Sequence, residues 1–156
     1  MCVDPLRTVV QVAIVVRDLN KAVEYWSKIL GLKPSAIVET ENYEKTKMMF
    51  RGSPSQGRAK LAFFNLNNIV LELIEPIGGP STWSEFLEKH GDGLHHIAFN
   101  FSENPECVDK IIKEIDGEIQ QSGFSKGGKY IYVDARKSLG AIIEFLIRFK
   151  EVKKEE

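Results

Sequence analysis

The sequence predicts an α+β domain made of two copies of one strand–helix–strands module. Three observations predict it. Gln11-Val12-Ala13-Ile14-Val15-Val16 is answered by His96-Ile97-Ala98-Phe99-Asn100-Phe101, 85 positions later. Leu71-Glu72-Leu73-Ile74 is answered by Ile143-Glu144-Phe145-Leu146, 72 positions later. Between each pair of echoes the order of helical and alternating apolar patterns is the same, which is the mark of an internal duplication.

In the first half, the β-branched run Val9–Val16 reads as a strand. Asp18 is placed to cap a helix in which Ala22, Val23, Trp26, Ile29 and Leu30 recur at helical spacing, and Gly31 ends it. Lys33–Thr40 and Glu44–Arg51 are expected as strands, with Gly52–Gly57 as a loop. Ala59–Leu66 and Ile69–Glu75 flank Asn67-Asn68 as a hairpin. Pro76–Pro80 reads as a linker, and Thr82 with Glu85 as a capping box opening a short helix to His90.

In the second half, His95–Phe101 is a strand. Asn104 and Pro105 open a helix with Val108, Ile111, Ile112 and Ile115 on its apolar face. Glu118–Ser122, Tyr130–Val133 and Ala141–Ile147 follow as strands. The fall in offset from 85 to 72 assigns 13 extra residues to the first half, around Glu41–Arg58. The expected organisation is one domain over 1–150, with module one at about 9–76, module two at about 94–148, and a charged tail over 151–156.

Composition narrows the function classes. The 156 residues are 43% hydrophobic and 28% charged, a soluble globular balance. A net charge of −1 supplies no field toward nucleic acid or an anionic membrane. No apolar run approaches the roughly 20 residues of a membrane span, and no signal peptide is visible. Cys2 and Cys107 have no metal-type spacing, so the expectation is a reduced, cytoplasmic protein.

The echoes also carry chemistry. Strand alternation places Gln11, Glu72, His96 and Glu144 on the same faces as inward-pointing apolar residues. One glutamate in an apolar strand commonly sits on a solvated edge, and one such histidine is commonly a satisfied core residue. Here the oddity repeats at equivalent positions. Two carboxylates, an imidazole and an amide around a divalent ion would satisfy all four, and such N/O ligands suit Zn, Co, Mn or Ni.

With these residues in hand, the chain resembles the vicinal oxygen chelate superfamily over about residues 9–148. That superfamily includes glyoxalase I, methylmalonyl-CoA epimerase, extradiol dioxygenases and bleomycin-resistance proteins. The most specific stretch runs from Leu71-Glu72-Leu73-Ile74-Glu75-Pro76 to Leu94-His95-His96-Ile97-Ala98, and is most similar to the epimerases. The resemblance implies two paired βαβββ modules forming an open eight-stranded cleft, with metal ligands Gln11, Glu72, His96 and Glu144. It implies Glu144 as the catalytic base, a second carboxylate among Glu39, Glu41, Glu44 and Glu75, and a structural role for His95. The implied activity is a metal-dependent isomerase, epimerase or lyase that moves a proton α to a carbonyl or thioester through an enolate.

Gln11 departs from the histidine usual in epimerases and matches some zinc-dependent glyoxalase I (lactoylglutathione lyase) enzymes. Yet Val15 and Pro76 stand where their glutathione-binding arginine and asparagine are expected. Gln11 also argues against the two-His, one-carboxylate triad of an iron dioxygenase. A non-catalytic small-molecule binding or resistance protein is the reading from another class. The implied partners are a CoA thioester or hemithioacetal and a second copy in a homodimer. The basic segment Ser122–Lys129 reads either as a hairpin turn or, through Lys126 or Lys129, as a phosphate contact. Arg51 and Arg58 are alternatives for that contact.

Overall fold

A computed structural model describes residues 2–150; the charged tail expected over 151–156 lies outside them. The described residues form one curled, open sheet of ten strands with helices packed on it. The strands are β1 (Gln11–Val15), β2 (Ala36–Glu39), β3 (Met49–Phe50), β4 (Ser53–Pro54), β5 (Gly57–Asn65), β6 (Val70–Gly78), β7 (Gly93–Asn100), β8 (Glu118–Ser125), β9 (Gly128–Ala135) and β10 (Ala141–Arg148). Their order is β2-β5-β6-β1-β7-β10-β9-β8-β3-β4. Four strands of the first half and four of the second are thus mirrored about the antiparallel β1–β7 seam.

The other two strands account for the difference from the expected eight. β3 and β4 lie in the 13-residue excess of the first half, with α2 (Tyr43–Thr46) just before them. The strand expected over Glu44–Arg51 is therefore split: Glu44–Thr46 belong to a helical turn and only Met49–Phe50 is strand. Lys47 adopts the left-handed conformation at the end of the turn, and the chain then crosses to the far edge, where β3 pairs with β8. Long-range pairing of this kind leaves no trace in local periodicity.

The helices follow the sequence pattern closely. In α1 (Leu19–Leu30) the Asp18 carboxylate accepts from Lys21 N at 3.0 Å, and Gly31 ends the helix at φ 65°. Ala22, Val23, Trp26 and Leu30 pack on Ala62, Phe64, Leu71 and Leu73, the helix-side residues of β5 and β6. Ile29 is instead 73% exposed. In the second module, a 3-10 turn at Pro105–Cys107 leads into α4 (Val108–Glu114). Asn104 makes no side-chain capping bond there. Val108, Ile111 and Ile112 cover Ile131, Val133, Ile143 and Phe145. Each helix buries the outer face of its own module, which leaves the opposite face of the sheet as the cleft.

Between the modules, α3 (Thr82–His90) begins one residue earlier than the sequence pattern suggests. Ser81 is the cap, exchanging 3.0 Å bonds with Ser84, and Thr82 is freed for other partners. The segment expected as a linker from Pro76 instead continues β6 to Gly78. Gly57, opposite it, admits no side chain: a Cβ there would lie 2.6 Å from the Pro80 carbonyl oxygen. Gly57→Ala is expected to destabilise the fold by about 1–3 kcal/mol, read as a lower midpoint of chemical unfolding.

The cysteines correct an expectation. Cys2 and Cys107 form a disulfide across 105 residues. The N-terminal segment packs Cys2, Leu6 and Val9 against the second-module core that contains Cys107, which brings the two Cα atoms within 5.3 Å. Spacing along the chain carries no such signal. No helix among the described residues is long and apolar enough to cross a membrane.

Candidate metal centre

Four sequence-selected side chains lie on the strands at and beside the seam, and the register shows why. Glu72 lies opposite Ala13 in the β1–β6 pair, and Glu144 lies opposite Ala98 in the β7–β10 pair. Across the seam, Ala13 faces His96 and Ala98 faces Gln11. Two short rows result, Glu72–Ala13–His96 and Gln11–Ala98–Glu144. In each row a fully buried alanine separates two polar side chains. The duplication thus sets its polar residues around the space that two alanine methyl groups leave open.

All four are buried, with exposures of 4–7%. His96 Nε2 and Glu144 Oε2 are 2.7 Å apart, yet neither atom has a hydrogen bond of acceptable geometry, nor does Gln11 Nε2. Buried polar atoms left unpaired cost about 1–3 kcal/mol each. Burial pushes the Glu144 carboxyl up to about 8, with Arg148 pulling weakly the other way. Burial, then the Glu144 charge, holds Glu72 well above the usual carboxylate range, and the Gln11 amide offsets this slightly. Burial keeps the His96 imidazole neutral, down to about 3.

The donor chemistry fits a divalent cation: a neutral imidazole, an amide and two carboxyls whose proton loss a cation would favour. The convergence is not complete, since no three His, Cys, Asp or Glu side chains among the described residues are arranged to hold a metal ion as they stand. His96 and Glu144 are in contact, while Gln11 lines one cavity of about 430 Å³ and His96 another of about 430 Å³.

The metal-free protein has a calculable pH signature. The unfolded chain ionises Glu144 near 4.5, but the fold keeps its proton until about 8. This stability is present below 4.5 and lost as pH rises through 8. His96 works in reverse: its contribution is present above its ordinary 6.5 and lost toward about 3. Between pH 6.5 and 8 the buried glutamate pair acts while His96 does not. Metal-free protein should lose about 1.4 kcal/mol per pH unit there for each carboxyl still protonated in the fold. Glu144→Gln should flatten that slope in denaturant titrations, and an unchanged slope would contradict the assignment.

Residues that sequence reasoning missed surround this centre. Tyr132 lies opposite Glu144 in the β9–β10 ladder, 4.7 Å ring to ring from His96, and accepts a 3.2 Å bond from Trp83 Nε1. Burial and the two glutamates push its phenol well above the ordinary value. The alternation Tyr130-Ile131-Tyr132 was the available signal. The second-carboxylate candidates separate. Glu39 and Glu41 line a cavity of about 330 Å³ with Leu61, Phe63, Trp83, Tyr130 and Lys126. Glu39 is 3.2 Å from Arg58, and Glu75 is 3.8 Å from Lys60. Glu44 lies in α2. Lys126 opens the β8–β9 turn onto that cavity, whereas Lys129 lies over the Phe124 ring and Arg51 is held by Glu85 at 2.6 Å.

The mirrored halves and their polar seam define a two-module cleft protein. The match of residues 10–132 to the glyoxalase/bleomycin resistance protein/dioxygenase superfamily model then identifies the chain as a member of that superfamily. It is 31% identical over 137 residues to the uncharacterized protein YqjC of Bacillus subtilis, covering 85% of this chain and 86% of the relative. It is 29% identical to human mitochondrial methylmalonyl-CoA epimerase over 134 residues, covering 85% and 68%. The fold matches the methylmalonyl-CoA epimerase of Mycobacterium tuberculosis with a TM-score of 0.65 at 17% identity, covering 92% of this chain and 89% of that one. It also matches a Streptomyces coelicolor epimerase in complex with 2-nitronate-propionyl-CoA, with a TM-score of 0.64 at 19% identity over 90% and 94%.

Proposed function

We propose that this protein is a divalent-metal-dependent epimerase that moves a proton α to the carbonyl of an acyl-CoA thioester. The observation that carries this reading is the repeated Glu-opposite-Ala register. It gathers Gln11, Glu72, His96 and Glu144 on the cleft face with three unpaired buried atoms among them. The similarity to methylmalonyl-CoA epimerases supports it.

Gln11, Glu72, His96 and Glu144 would hold the ion. A divalent ion held there supplies Lewis-acid polarisation of a carbonyl oxygen. Glu144 takes the α proton as general base from its place beside His96 at the seam. Returning a proton on the other face needs a second acid. Glu39 and Glu41, which line the adjoining cavity with Tyr130 and Trp83, are the candidates, and each also pairs with a cation, Glu39 with Arg58 and Glu41 with Lys45. Trp83, Phe63 and Tyr130 keep that cavity apolar and limit water at the reacting carbon. Lys126 at its rim would meet a phosphate of the CoA arm. Gln11 favours a second reading, hemithioacetal isomerisation. Val15, however, is fully buried in the core and Pro76 is within β6, so neither can contact glutathione as an arginine or asparagine would.

The test is elemental analysis of protein purified without chelators, followed by NMR of methylmalonyl-CoA in D₂O. One equivalent of divalent metal and enzyme-dependent loss of the α-proton signal are expected. Bound metal with no exchange of either methylmalonyl-CoA or a hemithioacetal would favour a binding protein. Absence of stoichiometric metal would remove the site.

A further inference from the structure

We infer that His95, Thr82 and Gln120 form a one-way hydrogen-bond chain that fixes the tautomer of His96 and keeps its Nε2 bare toward the cleft. His95 is then a positioning residue as well as a packing one, its ring meeting Phe86 and Tyr132 edge-on. The inference rests on the proposed site only for the purpose of the bare nitrogen; the tautomer itself follows from the hydrogen bonds.

Two bulges build the chain. In β7 the pairing with β1 skips His95: Ala13 faces His96 and Ile14 faces Leu94. In β8 the pairing with β9 skips Gln120, running from Ile119 to Gln121. A bulge turns two successive side chains toward one side. His95 and His96 are both buried as a result, and so are Gln120 and Gln121. Thr82, released from capping α3, lies between the two bulges. Its backbone N donates to Gln121 Oε1 at 2.8 Å, and its hydroxyl reaches both Gln120 and His95.

The direction is set from the surface inward. Asp134 is held by Arg136 at 2.7 and 2.9 Å, which keeps its carboxyl below the usual range and ionised. A carboxylate only accepts, so the Gln120 amide nitrogen donates to it, at 3.5 Å. The Gln120 oxygen therefore faces Thr82 and accepts the hydroxyl proton at 3.0 Å. With that proton spent, Thr82 Oγ1 accepts from His95 Nε2 at 3.1 Å. A neutral His95 protonated at Nε2 has a bare Nδ1, which accepts from His96 Nδ1 at 2.8 Å. His96 is then protonated at Nδ1, and its Nε2 presents a lone pair 2.7 Å from Glu144 Oε2. Metal-binding imidazoles are commonly oriented by a donor bond from the other nitrogen, and loss of such a partner typically costs 10–100-fold in affinity. Here the acceptor is a second histidine whose own tautomer is fixed four bonds away.

The test is nitrogen-15 NMR of the metal-free protein with labelled histidine, which separates protonated from bare ring nitrogens. Wild type is expected to show His96 protonated at Nδ1 and His95 at Nε2. Thr82→Val keeps the shape and the backbone contact of residue 82 with His95 but removes the hydroxyl that links His95 to Gln120, so His95 and His96 should become tautomeric mixtures and zinc affinity should fall 10–100-fold. Thr82→Ser should restore both. His96 protonated at Nε2 in wild type would overturn the inference, as would Thr82→Val protein that keeps the wild-type tautomers. If wild type shows the expected tautomers yet binds no metal, the proposed function fails and the relay stands. If metal binds but the tautomers are reversed, the relay alone fails.

Discussion

Glu144→Gln should lower α-proton exchange of methylmalonyl-CoA by about 10²–10⁴-fold, the range that a lost general base commands. An amide has nearly the carboxyl's shape but no capacity to take a proton. The fold should survive, because burial raises the Glu144 carboxyl to about 8 and so already favours its neutral form. Folding and chemistry therefore separate in this variant: circular dichroism should match wild type while exchange in D₂O collapses. Full exchange in a well-folded Glu144→Gln protein would show that another group carries the proton, and Glu39 and Glu41 would be the first to replace.

Glu72→Gln is expected to divide stability from binding in the opposite sense. Glu72 is buried beside a second carboxyl, and both burial and the Glu144 charge disfavour its ionised form. Removing it should raise the unfolding midpoint of metal-free protein at pH 8, where the pair is under the greatest pressure to ionise. The same change should abolish the gain from added metal. For wild type, that gain is about 2.7 kcal/mol at a free metal concentration one hundred times Kd. Residues kept at a cost to folding are those a ligand later compensates. Thermal melts of both proteins with and without zinc test the pair of expectations. A Glu72→Gln protein that still gains the wild-type increment would place the ion elsewhere.

Much of the site was legible in the sequence because duplication repeated an unfavourable pattern. A single Glu72 inside Leu71-Glu72-Leu73 proves little, but Glu144 inside Ile143-Glu144-Phe145 repeats the same buried carboxyl 72 positions on. Strand parity then placed both on the cleft face, where the structure has them. The structural reading of His95 stands, but parity alone does not show how it reaches His96. Alternation sends neighbours to opposite faces, and only a bulge, invisible in composition, turns His95 inward beside His96. Gln120 was hidden in the same way. Thr82 was assigned to a cap that Ser81 fills one residue earlier. The segment Glu44–Arg51 read as a strand because it is locally plausible as one, and its partner, β8, lies some 70 residues away.

The sequence by itself determined the two modules, their helices and the four polar residues at the seam. Local periodicity and capping chemistry act over a few residues, and the duplication printed them twice. The tertiary structure alone decided which rows those residues occupy, that Cys2 meets Cys107, and that a threonine and a glutamine govern a histidine's proton. Those facts depend on strand register, bulges and contacts between distant segments. The free energy that selects them comes from packing the whole sheet rather than from any stretch of chain.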